Sequence, residues 1–276
     1  MSPIARKRFF TVIKHLGLII LTFIMFFPLY IVFVMGTYYS EDIFRGMPIW
    51  FSDYLMENIK VVFKNDFGTA YLNSIIVSVG SVVLSVLTSS LIGFALAKYR
   101  FKIKNFIFSF MVLMMMIPGQ VSIIGYVLEM KAFNMLGTLL PLIFIWMAHP
   151  FGAFFMTQFI RDSVPDEVLE SGRLDGCSEP GLFFRIVLPF VRSALVTLSM
   201  LVFLWAWNSY MIPLIVINKQ SLYTIPLMVS NLSTAFRTDY GAIMCALSIS
   251  ILPIILLFCL ASKTFIKGIA AGAVKG

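Results

Sequence analysis

Six apolar runs, at about 15–37, 70–97, 106–128, 139–160, 194–217 and 241–262, decide most of what this chain can fold into. Each reaches the roughly 20 residues that a helix needs to cross the hydrocarbon core of a bilayer. Composition agrees: 60% of the residues are hydrophobic and 12% charged, where a soluble domain carries about 25% charged residues. The expected fold class is all-α, a polytopic membrane protein with six transmembrane helices. Its parts are an N-terminal tail, first span and external segment (1–69), a core of five spans carrying a long polar loop at 161–192 (70–266), and a C-terminal tail (267–276).

Orientation follows from the basic residues. With six spans, both ends and the loops after spans two and four share one side, and that side holds fifteen of the 21 lysines and arginines. The excess of positive charge places both termini and the 161–192 loop in the cytoplasm and the 38–69 segment outside. The net charge of +8 therefore reflects topology and membrane lipid as partner, and nucleic-acid binding is excluded. The first run follows Arg6-Lys7-Arg8, but it exceeds the 7–15 residues of a signal core and no Ala-x-Ala site follows, so it reads as an uncleaved anchor of a multi-pass bacterial cell membrane protein. Trp50, Phe51, Tyr54, Phe63 and Phe67 alternate with charges, as in an amphipathic segment at the outer interface. Cys177, Cys245 and Cys259 have no metal-ligand spacing.

The 161–192 loop reads as two short helices with a glycine hinge. Ser163 is a candidate N-cap, Pro165 suits the first turn, and Asp166 and Glu167 favour the positive end of a helix. That helix runs through Glu170 and Arg173, an i, i+3 pair, and stops near Gly176, where glycine accepts a left-handed conformation. Ser178 then caps a second helix, with Glu179 and Pro180 in its first turn and Pro189 ending it. Leu182, Phe183 and Phe184 give it an apolar surface to bury, against the chain's own spans or against a partner.

The same residues carry a resemblance. Glu170-Ser171-Gly172, three residues, Gly176, nine residues, Ile186-Val187-Leu188-Pro189 resembles the EAA loop of ATP-binding-cassette (ABC) importer permeases, with Ser171-Gly172 where the family has Ala-Ala. Leu72-Asn73-Ser74, Phe94-Ala95-Leu96-Ala97-Lys98-Tyr99-Arg100-Phe101, Ile117-Pro118-Gly119-Gln120-Val121, Leu136-Gly137-Thr138-Leu139-Leu140, Trp207-Asn208 and the Gly272 to Gly276 ending resemble the carbohydrate branch, the smaller permeases of maltose-type importers. The resemblance implies a MetI/MalG-like permease fold. It implies contact of Glu170, Ser171, Gly172, Asp175, Gly176, Phe183, Phe184 and Pro189 with an ATPase, and contact of Gly272, Lys275 and Gly276 in the tail. The implied partners are a second homologous permease, two ATPase subunits and an extracellular sugar-binding protein that delivers a sugar.

The chain has no phosphate-binding loop, so ATP and Mg belong on the partner ATPase subunits, no cofactor is expected here, and no catalytic or metal residues are assigned. It reads as a transport subunit and not an enzyme. Polar side chains inside spans usually face the bundle interior, which makes Gln120, His149 and Asn208 candidate pathway residues. Trp146 lies three before His149 and Trp205 three before Asn208, so each pair shares a helix face. Trp205 and Trp207 point apart, and one of them is expected to be packing. Two alternatives stand beside the sugar reading. A permease for polyamine or phosphate would share the loop, and an ion-coupled secondary transporter would need buried carboxylates that no span supplies.

Overall fold

Hydrocarbon offers a backbone no hydrogen-bond partners, so each span-length run closes its own N–H and C=O groups by winding into helix. In the computed structural model, which describes residues 3–232 and 238–273, every regular element is helical. Four stretches are long and apolar enough to cross a bilayer: Phe9–Met35, Phe67–Lys98, Leu140–Ser163 and Tyr240–Phe265. Two bent pairs bring the count to six if each pair is one span.

The chain divides into two units, Met1–Phe67 with Val229–Leu252, and Gly68–Met228 with Pro253–Gly276. In the first, α1 (Pro3–Met35) begins well before the apolar run, and its membrane-length part is almost wholly exposed, as a lipid-facing helix would be. The segment after it is tied down by polar contacts. Asn58 of α2 (Leu55–Lys64) donates to the carbonyls of Gly36 and Tyr38 at 3.0 and 2.8 Å, and Tyr38 Oη donates to Trp50 O at 2.8 Å. The amphipathic character expected for 38–69 falls on α2, which buries Asn58 and Val62 and exposes Met56 and Phe63.

In the second unit, α3 (Phe67–Lys98) carries Ser74, Ser78, Ser81, Ser85 and Ser89 buried along one face. Gly93 continues that face. Small residues let helix backbones approach closely where lipid gives no hydrophobic drive to association. Here a Cβ on Gly93 would lie 2.8 Å from the carbonyl carbon of Met156.

Three expected spans are interrupted. The run at 106–128 is not one helix: α4 (Lys104–Met115) and α5 (Gly119–Ala132) meet at 109°. Pro118 lacks an N–H and keeps Ile117 out of the α region, so the winding stops there. Pro150 breaks the winding of the fourth run as well, although Leu140–Ser163 stays one membrane-length stretch. It separates α6 (Leu140–Met147) from α7 (Pro150–Ser163) and leaves His149 extended at φ −67°, ψ 122°. After α8 (Asp166–Leu174) and α9 (Glu179–Phe190), which form the polar loop, the chain bends 82° into α10 (Arg192–Trp207). The fifth run is broken past Trp207, and α11 (Met211–Val216) and α12 (Ile225–Ser230) follow. Finally α13 (Tyr240–Ala273) runs eleven residues past the expected end of span six at 262 and takes in most of the tail.

A buried cluster built on Phe94, Ile160, Leu169, Leu182, Val187 and Leu198 joins α3, α7, α8, α9 and α10. The polar loop therefore sits on the main core of its unit.

Candidate functional site

The loop begins where Pro165, extended at ψ 142°, ends one helix direction and starts another. Pro165 is itself the N-cap of α8, and Ser163 is the last residue of α7, which corrects the capping role expected of that serine. Asp166 and Glu167 occupy the first turn, where the helix dipole favours them. The expected hinge is present: Gly176 has φ +78°, and Cys177 N–H returns to Gly172 O at 2.9 Å, closing the helix end through a left-handed residue. Ser178 then caps α9 by accepting Gly181 N–H at 3.4 Å. Residues Leu182–Val187 are wound as a π-helix. Pro189 has no N–H to return to Arg185 O and its ring crowds that carbonyl, which favours the wider turn.

The two helices pack through glycine. A Cβ on Gly172 would come within 2.7 Å of Leu182 Cδ2 and 3.0 Å of Ile186 Cδ1. A side chain at the place of the family's second alanine would thus crowd α9. Leu169, Leu182 and Phe183 face the core at 2% exposure or less. Phe183, expected to face a partner, instead rests against Phe94 with centroids 5.8 Å apart, because it falls on the same side of α9 as Val187. Glu170, Ser171, Asp175, Phe184 and Pro189 remain outward. Arg173 pairs with Glu179, Nε to Oε1 at 2.9 Å, in place of the expected Glu170.

Leu174 was missed by the sequence reading. It is 89% exposed in the last turn of α8, one turn beyond Glu170, and its i+4 spacing from that glutamate was the available signal. Beyond it, Gly176, Cys177, Ser178, Pro180, Phe184 and Arg185 line an open cleft of about 510 Å³.

Both loop helices are fastened to the end of α3. Lys98 Nζ donates to Val164 O at 2.5 Å and to Asp166 Oδ1 at 2.6 Å, and Tyr99 Oη donates to Glu179 Oε2. The Lys98 hydrogen bond and its charge hold the Asp166 carboxyl below the usual carboxylate range, with Arg100 and Arg173 adding to the effect. Hydrogen bonds from Arg173 and then Tyr99 do the same for Glu179.

Of the pathway candidates, three come together. Trp146 stacks on Trp205 with centroids 5.9 Å apart, and the His149 ring lies 5.8 Å from the first and 5.1 Å from the second. The break before Pro150 makes this possible by turning His149 out of the α6 winding. Among the described residues His149 Nδ1 is buried with no hydrogen-bond partner. Gln120 and Asn208 are exposed, and the Asn208 amide donates back to Leu204 O at 2.8 Å. Trp207 is the packing member of its pair, 3% exposed against Tyr71 and Phe203. In the tail, Gly272 lies within α13 but its surroundings, together with Lys275 and Gly276, lie outside the described residues.

The described residues thus make a helical membrane protein with a helix–glycine–helix loop seated on the core of its unit. The chain belongs to the family of binding-protein-dependent transport system inner membrane components, which matches residues 89–270. It is a permease subunit of an ABC importer and not an enzyme. It is 34% identical over 276 residues to the diacetylchitobiose uptake system permease protein DasC of Streptomyces coelicolor, covering 98% of this chain and 99% of that one. To the arabinooligosaccharides transport system permease protein AraQ of Halalkalibacterium halodurans it is 31% identical, with 95% of each chain covered. In fold it is similar to the crystal structure of a bacterial ABC transporter involved in the import of the acidic polysaccharide alginate. The TM-score is 0.79 over 94% of this chain and 98% of that one, at 19% identity.

Proposed function

We propose that this permease forms half of the pathway through which a sugar or oligosaccharide enters the cell, with a homologous permease as the other half. One of two ATPase subunits docks on the 161–192 loop, the other on the homologous permease, and an external binding protein delivers the sugar. The observation that carries the docking is the outward face of α8 and α9. Glu170, Ser171, Leu174 and Phe184 stand exposed beside an open cleft while the opposite face is locked into the core. An 89%-exposed leucine next to an exposed phenylalanine in an otherwise polar loop suits a protein partner.

The carbohydrate assignment is supported by the names of the relatives and by the Trp146–His149–Trp205 cluster, whose flat rings suit the C–H faces of a sugar and whose unpaired Nδ1 suits a hydroxyl. Gln120 and Asn208 are the further pathway candidates. The deciding experiment is uptake by proteoliposomes holding the whole importer, with labelled diacetylchitobiose and arabinotriose set against spermidine and phosphate, each with and without ATP. ATP-dependent uptake of spermidine or phosphate and of neither sugar would overturn the assignment.

Both termini and the loop face the cytoplasm in this reading. In a background without native cysteines, an impermeant thiol reagent on intact cells should label Glu57→Cys and spare Glu167→Cys; the reverse pattern would invert the topology. The tail, with Gly272, Lys275 and Gly276, reaches the ATPases. Helix α13 has 34 residues, about 51 Å at 1.5 Å per residue, well beyond the ~30 Å core of a bilayer. Deleting the last six residues should lower ATPase stimulation at matched expression, and wild-type stimulation would make the tail idle.

A further inference from the structure

The run Ala97-Lys98-Tyr99-Arg100-Phe101 helps to carry the family resemblance, yet docking of the loop gives it no task. Its position does. Lys98 is the last residue of α3, its side chain is only 6% exposed, and its ammonium bonds both the Val164 carbonyl and the Asp166 carboxylate at the start of α8. Tyr99 reaches Glu179 at the start of α9, and Glu179 also takes Arg173 from the last turn of α8. Phe94 supports both from behind, 5.2 Å from the Tyr99 ring and 5.8 Å from Phe183. Sixty-six to 80 residues separate these partners in the chain, so the fastening is wholly tertiary.

We propose that Lys98 and Tyr99 form a two-pronged latch through which movement of the docked loop drives α3, so that α3 and the loop travel as one body. This rests on the reading that the loop docks on an ATPase. The covalent route from the loop leads to α10 across an 82° bend at the buried Val191. The route to α3 runs through side-chain hydrogen bonds. Breaking the Lys98 prong strands a nearly buried cation, which costs far more than the loss of an exposed pair. One prong alone would leave a pivot, whereas two prongs on two helices also fix the rotation of the loop against α3. Lys98 and Tyr99 are thus positioning residues for the transport cycle.

The test uses the complete importer, permeases with ATPases and binding protein, carrying spin labels at K102C and E167C, both exposed positions. It needs no sugar: the label separation is measured before and after trapping with ATP and vanadate. The unmodified latch should keep one narrow separation in both states. In the pair Lys98→Met and Tyr99→Phe the separation should broaden or shift on trapping while the ATPases stay bound and hydrolyse ATP, since each lost charge-assisted bond lowers the ratio of latched to unlatched protein by roughly tenfold. Lys98→Arg, which keeps a cationic donor, should restore the narrow separation, a rescue that a purely space-filling role would not show. Tyr99→Phe alone removes a single oxygen and keeps the test open if the double variant does not fold. An unchanged separation in the variants would overturn the latch. Release of the ATPases by the variants, but not by the wild type, would mean these residues serve docking and would also overturn it. If the wild type holds no ATPase, the docking reading fails, and the latch fails with it.

Discussion

Gly93→Ala should loosen the crossing of α3 and α7 by more than any gain in helix preference returns. An added Cβ would stand 2.8 Å from both the carbonyl carbon and Cβ of Met156 and 2.9 Å from Thr157 N, where ordinary contact begins at 3.4 Å. These are mostly backbone atoms, so no side chain can swing away, and the helices must part locally by about 0.6 Å. A gap of that size forfeits a quarter or more of each contact's attraction; over ~40 atom pairs worth ~0.15 kcal/mol each, that is about 1.5 kcal/mol. Overpacking measured in other cores costs a similar ~1–3 kcal/mol. The ~1 kcal/mol by which alanine exceeds glycine in a helix does not offset this, because in a bilayer α3 stays helical whether or not α7 is docked.

A matched control exists in Gly125, inside α5, where an added Cβ meets nothing within 4 Å. The assay is thermal loss of the monodisperse importer in detergent. Gly93→Ala should lower the midpoint by roughly 2–8 °C, Gly93→Val by more, and Gly125→Ala should match wild type. Equal midpoints for Gly93→Ala and Gly125→Ala would refute the close approach.

Gly176 offers a contrast, since its Cβ direction is open and only its positive φ matters. Gly176→Asn should therefore be mild and Gly176→Val severe, by about 1–2 kcal/mol or more, read as retention of ATPase on the purified permease; equal effects would point to sterics. Leu174→Ala and Phe184→Ala should each release ATPase subunits while leaving the permease folded, because both side chains are exposed; unchanged co-purification would remove them from the interface. The latch should hold across neutral pH. Asp166 and Glu179 have lowered pKa values, from 3.8 and 4.5, so their contribution is complete above those values and lost only as pH falls through the lowered ones. A change in the 102–167 label separation between about pH 8 and 6, where no carboxylate titrates, would contradict this.

Much of the protein was legible in its residues. Apolar run length requires helix in hydrocarbon whatever the neighbours do, and the Gly176 hinge, the Ser178 cap and the grouping of Trp146 with His149 followed from local spacing. Prolines 118 and 150 fall inside expected spans; Pro118 parts α4 from α5 and Pro150 parts α6 from α7, because a missing N–H and a restricted preceding residue act locally. Leu72-Asn73-Ser74 was legible only as a motif. Its work is to close another segment's backbone: the Asn73 amide donates to the Ser221 and Tyr223 carbonyls, and Ser74 accepts Ile225 N–H.

What the linear sequence determined by itself was helix, membrane, and the place and punctuation of the 161–192 loop, since all of these depend on residues within a few turns of one another. Only the tertiary structure decided which side of α9 is buried, that Arg173 turns to Glu179 and not to Glu170, and that Lys98 and Tyr99 grip the loop. The burial of α9 and the Lys98–Tyr99 grip depend on which distant helix lies alongside, and no local spacing encodes a partner 66 or 80 residues away; the Arg173–Glu179 pair, six residues apart, depends on how the Gly176 turn folds α9 back on α8.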